Sequence, residues 1–401
     1  MLRTASERRV ATVPWEAVRE LVPALDVPID AVWSGTPAER VLDKFLRKNP
    51  QLTAEQRQVV AEAVFGVALW RRRLAHSAGP EASPRELLGT LVRDLGERAD
   101  AAALVQATLA PERPPPHPAI RYSFPDWLWQ TLEREAGAEA EALADALNLP
   151  GPVCLRANAL HTTREVLAQR LSAEGIETRP AARAAHGLIV TSARPNLFGS
   201  VAWREGLFEV QDEGSQLLAE LVEAQAGDAV LDACAGAGGK SLALAAAVGP
   251  KGRVHVADSD LGKLDRLRTR AERARVGNLS YCGAAAAPEL LVPRVLVDAP
   301  CSELGALRRG PDLRHRLDPA GFDALPELQL RLASEAASHL QPGGRLVYAT
   351  CTLRREENEQ VVEALLERCP VLRRACPDLK MWPHREGTDG FYAAALVATR
   401  P

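Results

Sequence analysis

Two segments of this chain place a thiol just past what reads as a β-strand. Val297-Asp298-Ala299-Pro300-Cys301 and Tyr348-Ala349-Thr350-Cys351-Thr352 each put a cysteine after a β-branched, apolar run in the C-terminal half. A lone cysteine of this kind is usually an inert packing residue. Two of them after strands of one sheet, one preceded by Asp-Ala-Pro and the other by Thr, shift that balance, because both strand ends open onto the same crevice. Upstream, Ala229-Val230-Leu231-Asp232-Ala233-Cys234-Ala235-Gly236-Ala237-Gly238-Gly239-Lys240-Ser241 reads as a strand, a glycine loop and the start of a helix. Its missing side chains let a ligand approach the backbone and the helix N-terminus. The loop is neither a Walker loop nor a strict GxGxxG. Asp258, at the end of the next strand, fits a carboxylate accepting from both ribose hydroxyls. Such a pair also occurs as plain structure; with the thiols it points to cysteine-assisted group transfer. Cys234 reads as packing beneath the loop backbone, and Cys154, Cys282, Cys369 and Cys376 as structural.

The elements that must position these groups follow from periodicity. From Gly227 onward, strand-like runs (Ala229 to Asp232, Val254 to Ala257, Val295 to Val297, Leu346 to Ala349) alternate with helical ones. That pattern builds a parallel, doubly wound sheet with ligands at the carboxyl ends of its strands. Phe391 to Thr399 reads as a closing edge strand. From about residue 36 to 110 the pattern is helical: Val41, Leu42, Phe45 and Leu46 form one stripe, and Val60, Val64 and Val67 another, after a Thr53-x-x-Gln56 capping box. The second of these helices ends in Trp70-Arg71-Arg72-Arg73, read as a solvated C-terminus complementing the macrodipole, with a phosphate-binding tip as the alternative. Pro111-Glu112-Arg113-Pro114-Pro115-Pro116-His117-Pro118 is a stiff linker marking a domain boundary. Beyond it, a helical stretch over about 126 to 147, the run Val153 to Asn158, a helix near 163 to 174 and the strand Gly187 to Val190 read as a small α/β subdomain. The expected division is 1–110, 119–205 and 206–401.

At 401 residues, with 46% hydrophobic and 25% charged side chains, several domains of a globular protein are expected. The net charge of −3 gives no global basic field, so an RNA surface would be a local patch. The N-terminal segment lacks an apolar signal core and no apolar run is long enough for a membrane, which reads as a cytoplasmic protein. Seven cysteines without CxxC spacing or a Cys/His cluster argue against a disulfide framework and against structural zinc, so neither a metal nor a membrane is expected. Lysine supplies six of the 49 basic residues, which makes Lys240 inside the glycine loop more suggestive.

Taken in order, these residues become recognisable. Val230-Leu231-Asp232 through Lys240, Asp258, Asp298-Ala299-Pro300-Cys301-Ser302, Leu307-Arg308-Arg309-x-Pro311-Asp312, Tyr348-x-Thr350-Cys351, Glu356-Glu357-Asn358-Glu359 and Asp389-Gly390-Phe391, with Phe208-Glu209-Val210-Gln211-Asp212 leading in, make the chain resemble the Sun/Nop-type RNA cytosine-5 methyltransferases, in particular those acting on bacterial small-subunit rRNA. The resemblance runs over about residues 119 to 401. It implies a Rossmann-like S-adenosylmethionine-dependent methyltransferase sheet, preceded by an RNA-recognition-like α/β subdomain and a shortened NusB-like helical module. It implies S-adenosylmethionine as cofactor, held by Cys234, Ala235, Gly236, Ala237, Gly238, Gly239, Lys240, Asp258 and Asp298, and small-subunit rRNA as partner. By the same likeness Cys351 is the nucleophile adding to carbon 6 of cytosine, Cys301 assists removal of the carbon 5 proton or product release, Asp298 bonds the base, and Lys240 holds the cofactor or orients the base. The base must leave its stack. Arg308, Arg309 and Arg314 would contact phosphates or lie in a solvated loop.

Three positions depart from the family pattern. Cys282-Gly283-Ala284-Ala285-Ala286-Ala287 carries no carboxylate where the family has an adenine-contacting aspartate, and weaker cofactor binding is expected. Ala237 stands where many relatives carry proline, and Glu303 where glycine is common. Four other readings compete with rRNA methylation: tRNA as the substrate, a non-catalytic RNA-binding assembly factor, a DNA methyltransferase with a Pro-Cys nucleophile, and a small-molecule methyltransferase whose cysteines are core residues. The Thr-Cys motif, the helical module and the insert favour RNA over the last two.

Overall fold

The computed structural model describes residues 3–193 and 195–399; the first two residues of the N-terminal segment and the last two of the 206–401 region lie outside them. By contact the chain divides into two compact units, Met1–Pro150 with Ala306–Pro319, and Gly151–Gly305 with Ala320–Pro401.

The first unit is helical: α1 (Ala5–Ala11), α2 (Val22–Trp33), α3 (Ala38–Lys48), α4 (Ala54–Leu69), α5 (Arg71–Ala78), α6 (Pro84–Asp94), α7 (Ala101–Val105), α8 (Pro118–Arg121), α9 (Asp126–Ala136) and α10 (Ala140–Asn148). The capping box before α4 forms as read, Thr53 Oγ1 accepting from the Gln56 N–H and Gln56 Oε1 from the Thr53 N–H. Val60, Val64 and Val67 are fully buried, and Leu42, Phe45 and Leu46 pack partly buried against the core. Helices α1 and α2 lie ahead of the helical stretch read from the sequence; α2 carries Pro28 in its interior, a residue that argues against a helix on propensity alone.

The contact boundary falls at Pro150, not at the proline stretch, because α8 to α10 pack with the helices before it. The Arg72 N–H donates to Ser123 Oγ and its guanidinium donates to the Phe124 carbonyl and Asp126, while Arg73 pairs with Glu7. The Arg71-Arg72-Arg73 run is therefore no solvated C-terminus: it opens α5, and two of its three cations bind inside the unit. Burial works to raise the Glu7 pKa, but Arg73, the Thr4 N–H and Arg121 outweigh it and hold the carboxyl at about 2.

The second unit begins with a four-stranded antiparallel sheet, β1 (Cys154–Ala157), β2 (Thr178–Pro180), β3 (Gly187–Val190) and β4 (Phe208–Val210), in the order β2-β3-β1-β4, with α11 (Arg164–Ala173) packed on it. After α12 (Val201–Arg204) and α13 (Glu213–Glu220) comes the large sheet: β5 (Ala229–Asp232), β6 (Arg253–Ala257), β7 (Leu279–Gly283), β8 (Val292–Asp298), β9 (Leu340–Thr350), β10 (Leu372–Arg374), β11 (Leu379–Met381) and β12 (Phe391–Ala398). Its order is β10-β12-β9-β8-β5-β6-β7, with β11 also paired to β12. The run from β9 to β7 is parallel, joined by α14 (Gly239–Val248), α15 (Leu261–Arg273) and α16 (Leu325–Ala337), as the alternation required. Val295, Leu296, Val297, Leu346, Val347, Tyr348 and Ala349 are fully buried, the mark of strands covered on both faces. One expectation is corrected. β12 is not an edge strand: it lies antiparallel between β9 and β10, and its first six residues are buried.

Candidate active site

The glycine loop follows β5, and its backbone is pinned from three sides. The Ala235 N–H donates to the Ala257 carbonyl and the Gly238 N–H to the Ala235 carbonyl, closing the turn. Gly238 has φ +87°, and a Cβ there would lie 2.0 Å from Leu267 Cδ1, so that position takes only glycine. Gly236 has φ +54° with nothing within 4 Å of an added Cβ, an open side facing no protein atom. From outside the loop, Arg156 donates to the Gly239 carbonyl at 2.6 Å and Arg270 to the Ala237 carbonyl at 2.8 Å. Both arginines are tied to β4 and the residue after it, Arg156 to Gln211 and Arg270 to Glu209, which also holds Arg273. This accounts for Phe208-Glu209-Val210-Gln211-Asp212 in the sequence pattern: it carries the acceptors for the arginines that grip the loop.

Asp258 directly follows β6 and lies beside the open glycine. Its Oδ2 accepts from the Gly236 N–H and its Oδ1 from the Asp260 N–H, both at 2.8 Å, and each oxygen keeps a further lone pair for a hydroxyl. Asp232, the last residue of β5, is buried under the loop, where Oδ2 accepts from Ser241 Oγ at 2.7 Å and Oδ1 has no partner. Burial, followed by the neighbouring Asp298 charge, raises its pKa to about 7 against the opposing effects of Ser241 and Lys240. The native state thus holds a proton that the unfolded chain releases near pH 4, so stability contributed at low pH is lost as pH rises towards 7. Over that window the loss is about 4 kcal/mol at about 1.4 kcal/mol per unit. Asp232→Asn is expected to flatten this slope, measured by urea unfolding at pH 5 and pH 8; an unchanged slope would show that Asp232 ionises normally.

The thiols meet at the carboxyl ends of β8 and β9. Cys301 Sγ and Cys351 Sγ are 3.4 Å apart, both free. Beside them Lys240 Nζ, from the first turn of α14, lies 2.6 Å from Asp298 Oδ2, and 6.0 Å from the centre of the Phe391 ring. Burial works to lower the Lys240 pKa, but Asp298 outweighs it and the net shift is upward. The Cys351 thiol is pushed well up, first by its hydrogen bond with Cys301, then by burial and the charges of Cys301, Asp298 and Glu303. Burial likewise raises Cys234, which is half-buried against the core.

Two glycines fix the loop between the thiols. The Gly305 N–H donates to the Cys351 carbonyl at 3.0 Å and the Gly390 N–H to the Gly305 carbonyl at 2.8 Å. A Cβ on Gly305 would lie 2.1 Å from the Gly390 carbonyl oxygen, and one on Gly390 would lie 2.8 Å from the Gly305 Cα and 2.6 Å from Leu353 Cδ2, which explains the glycine in Asp389-Gly390-Phe391. Gly305→Ala is expected to lower stability by about 2 kcal/mol through forced backbone separation, and to cost activity as well. Thermal melts with activity check it, and a melt and rate equal to wild type would refute it. Glu303 has φ +58°, the left-handed region, which is why glycine is common at its place and which costs about 1 kcal/mol for a side chain with a Cβ.

Residues 219–397 match the family described as 16S rRNA methyltransferase RsmB/F, and residues 124–196 match its RsmF/B-like ferredoxin-like domain. A ribosomal RNA small subunit methyltransferase B from Vibrio cholerae is 34% identical over 290 residues, covering 70% of this chain and 66% of that protein. A probable ribosomal RNA small subunit methyltransferase B from Synechocystis sp. is 33% identical over 299 residues, covering 69% and 67%. This chain belongs to the RsmB/F methyltransferase family. It spans about two thirds of the length of these relatives. Among solved structures, PH0851 superposes with a TM-score of 0.77 at 22% identity over 96% of this chain and 99% of its own, and NSun6 from Pyrococcus horikoshii with SFG superposes at 0.63 and 21% over 70% and 100%. At these identities the likeness is one of fold.

In this RsmB/F member the structure brings Lys240, Asp298, Cys301 and Cys351 together and sets Asp258 beside the glycine loop. It removes Arg314 from the phosphate contacts. That side chain is fully buried, donates to Asn148 Oδ1 and the Leu147 carbonyl, and lies 4.0 Å over the Phe124 ring; burial lowers its pKa to about 9. Arg308 is buried too, and Arg309 is exposed. After β7, where the sequence carries no carboxylate, Ala284 and Ala285 are exposed. Asp232, Arg156 and Arg270 had no role in the sequence reading. Asp232 stood in a quoted motif, but the arginines carry no local signal. Among the described residues no helix is long and apolar enough to cross a membrane, and no group of three or more metal-ligating side chains occurs.

Proposed function

We propose that this protein methylates carbon 5 of a cytosine in RNA, with small-subunit rRNA as the substrate. The observation that carries the reading is the 3.4 Å approach of Cys301 and Cys351 beside the Lys240–Asp298 pair. A single thiol serves many purposes, whereas two free thiols at one strand-end crevice suit a reaction that adds a sulfur and later removes a proton from the adjacent carbon. The names of the relatives support rRNA as substrate. The residues present fit S-adenosylmethionine: Gly236 leaves open space over the loop, and Asp258 has lone pairs left for the ribose hydroxyls. When bound, that cofactor supplies an electrophilic methyl group.

In this reading the Cys351 sulfur bonds to carbon 6 of the flipped base, and the carbon 5–carbon 6 π pair becomes available at carbon 5 to take the methyl. Asp298 and Lys240 hold the base edge and its developing charge. Cys301, next to the adduct, takes the proton from carbon 5; that electron pair restores the double bond and expels the Cys351 sulfur. The helical module of 1–110 and the subdomain of 119–205 serve RNA binding, with the catalytic region over 206–401. The test is incubation with methyl-labelled S-adenosylmethionine and protein-free small-subunit rRNA, followed by nucleoside analysis. Label in 5-methylcytidine supports the reading. Label in another nucleoside overturns it, and binding of the rRNA without binding of S-adenosylmethionine favours the non-catalytic assembly factor.

A further inference from the structure

Glu356-Glu357-Asn358-Glu359 belongs to the sequence pattern but has no part in the chemistry above. Glu357 is completely buried and Asn358 nearly so, 4% exposed. Glu357 reaches the Cys301 side: its Oε2 accepts from the Ser302 N–H at 2.9 Å and its Oε1 from the Ser302 hydroxyl at 2.6 Å. Gln329 Nε2 spans the same loop, donating to Glu357 Oε2 and to the Pro300 carbonyl. Asn358 reaches the Cys351 side, accepting from the Thr350 hydroxyl and donating to the Thr352 carbonyl at 3.2 Å. The residues that follow the two cysteines also bond to each other, Ser302 Oγ to Thr352 Oγ1 at 2.7 Å. A carboxylate only accepts, so the Ser302 hydroxyl proton points at Glu357 and Thr352 must donate to Ser302. One chain, Thr352 to Ser302 to Glu357, therefore runs from one thiol loop to the other. A second grip comes from the backbone: Tyr348, on β9 below Cys351, donates its hydroxyl to the Glu357 carbonyl at 2.6 Å.

We propose that Glu357 is a positioning residue that sets the separation of the two thiols, with Asn358 as its counterpart on the Cys351 loop. Cys301 and Cys351 end different strands, and the hydrogen bonds of the sheet end before them. With Arg354 also donating to Oε1 at 3.3 Å, Glu357 is a buried carboxylate carrying four donors and is costly to move, since each displaced donor would lose its partner. Displacing Ser302 carries Cys301 with it. Where the two thiols act in sequence on adjacent carbons, a shift of this kind spares addition by Cys351 and impairs the later step that needs Cys301. The catalytic part of this inference rests on the proposed cytosine reaction; the geometric part does not.

The test uses the full chain as wild type, Glu357→Gln, Ser302→Ala and Cys301→Ala. First, diamide is added without RNA. It takes up two protons and two electrons as the two thiols join, and the Cys301–Cys351 disulfide is counted in tryptic peptides by mass. Glu357→Gln is expected to form the disulfide about tenfold more slowly than wild type while binding S-adenosylmethionine equally well, with Ser302→Ala slowed less. An unchanged rate in both variants overturns the proposal whatever the substrate. Second, each variant is incubated with S-adenosylmethionine and rRNA and run on a denaturing gel. A protein–RNA adduct in Glu357→Gln, at about tenfold the wild-type level, supports positioning of Cys301. An adduct in Cys301→Ala with none in Glu357→Gln overturns it. No adduct in Cys301→Ala counts against the cytosine reaction instead, and the diamide rate then decides the geometric claim alone. Where Glu357→Gln does not fold, Ser302→Ala carries both arms.

Discussion

Cys351→Ala is expected to abolish methyl transfer, and Cys301→Ala to stop the reaction one step later with RNA covalently attached. The two outcomes differ because the thiols, although 3.4 Å apart, have different neighbours. The charges of Asp298 and Glu303 act on Cys351, and Asp298 keeps Lys240 protonated beside it. An amine beside the site stabilises a sulfur anion as it forms and as it leaves. Loss of a nucleophile of this kind removes the reaction path, a fall of about four orders of magnitude or more. Without Cys301 the adduct still forms, but the group set to take the carbon 5 proton is gone. The measurement is a denaturing gel with labelled RNA. Adduct in Cys301→Ala and none in Cys351→Ala assigns the roles as proposed; the reverse pattern would exchange them, and full activity in Cys351→Ala would remove the covalent mechanism.

That those two cysteines stand out in the sequence alone is a matter of sequence locality. Each lies within three residues of the end of a buried parallel strand, and such strands appear as continuous apolar runs with no competing period. The glycine loop and Asp258 are local for the same reason. What stays hidden depends on distant partners. Arg314 sits among polar residues in a loop and reads as solvated; what buries it is Asn148, 166 positions earlier, and the face of Phe124. Glu209 grips arginines 61 and 64 positions later, and Glu357 grips Ser302 from 55 positions away. The interior place of β12 is hidden in another way: an apolar strand at the C-terminal end of a sheet looks the same whether its second neighbour is water or the three residues of β10. Helix α2 is obscured by Pro28, whose helical cost is overridden by Leu25, Ile29 and Val32 packing into the core.

Lys240→Met is expected to lower the rate of adduct formation by about a hundredfold near neutral pH and to move its pH profile to the alkaline side. The free Cys351 thiol already lies well above its ordinary value, chiefly because it shares a hydrogen bond with Cys301 and is buried. Only the thiolate attacks, so with the thiol mostly protonated the rate climbs about tenfold per pH unit until the thiol pKa is passed. Lys240 opposes that shift. Its charge lies against Asp298 at 2.6 Å, so it both cancels a carboxylate that disfavours the thiolate and attracts the thiolate itself. Methionine keeps the volume and removes the charge. Asp298 then stands uncompensated beside Cys351, and the thiol rises further. Removing the carboxylate should act oppositely: Asp298→Asn lifts one of the charges that hold the proton on Cys351, so its profile should move to lower pH, although the rate at the plateau falls because the base loses a contact. Single-turnover adduct formation from pH 6 to 10 in the Cys301→Ala background, about the range over which a thiol titrates, separates the two effects. Since Cys301 is itself the largest cause of the raised thiol, that background begins from a lower pKa, which brings the inflection into reach. A profile that keeps its midpoint in Lys240→Met while its plateau drops would mean that the lysine acts on the base or the cofactor and not on the thiol.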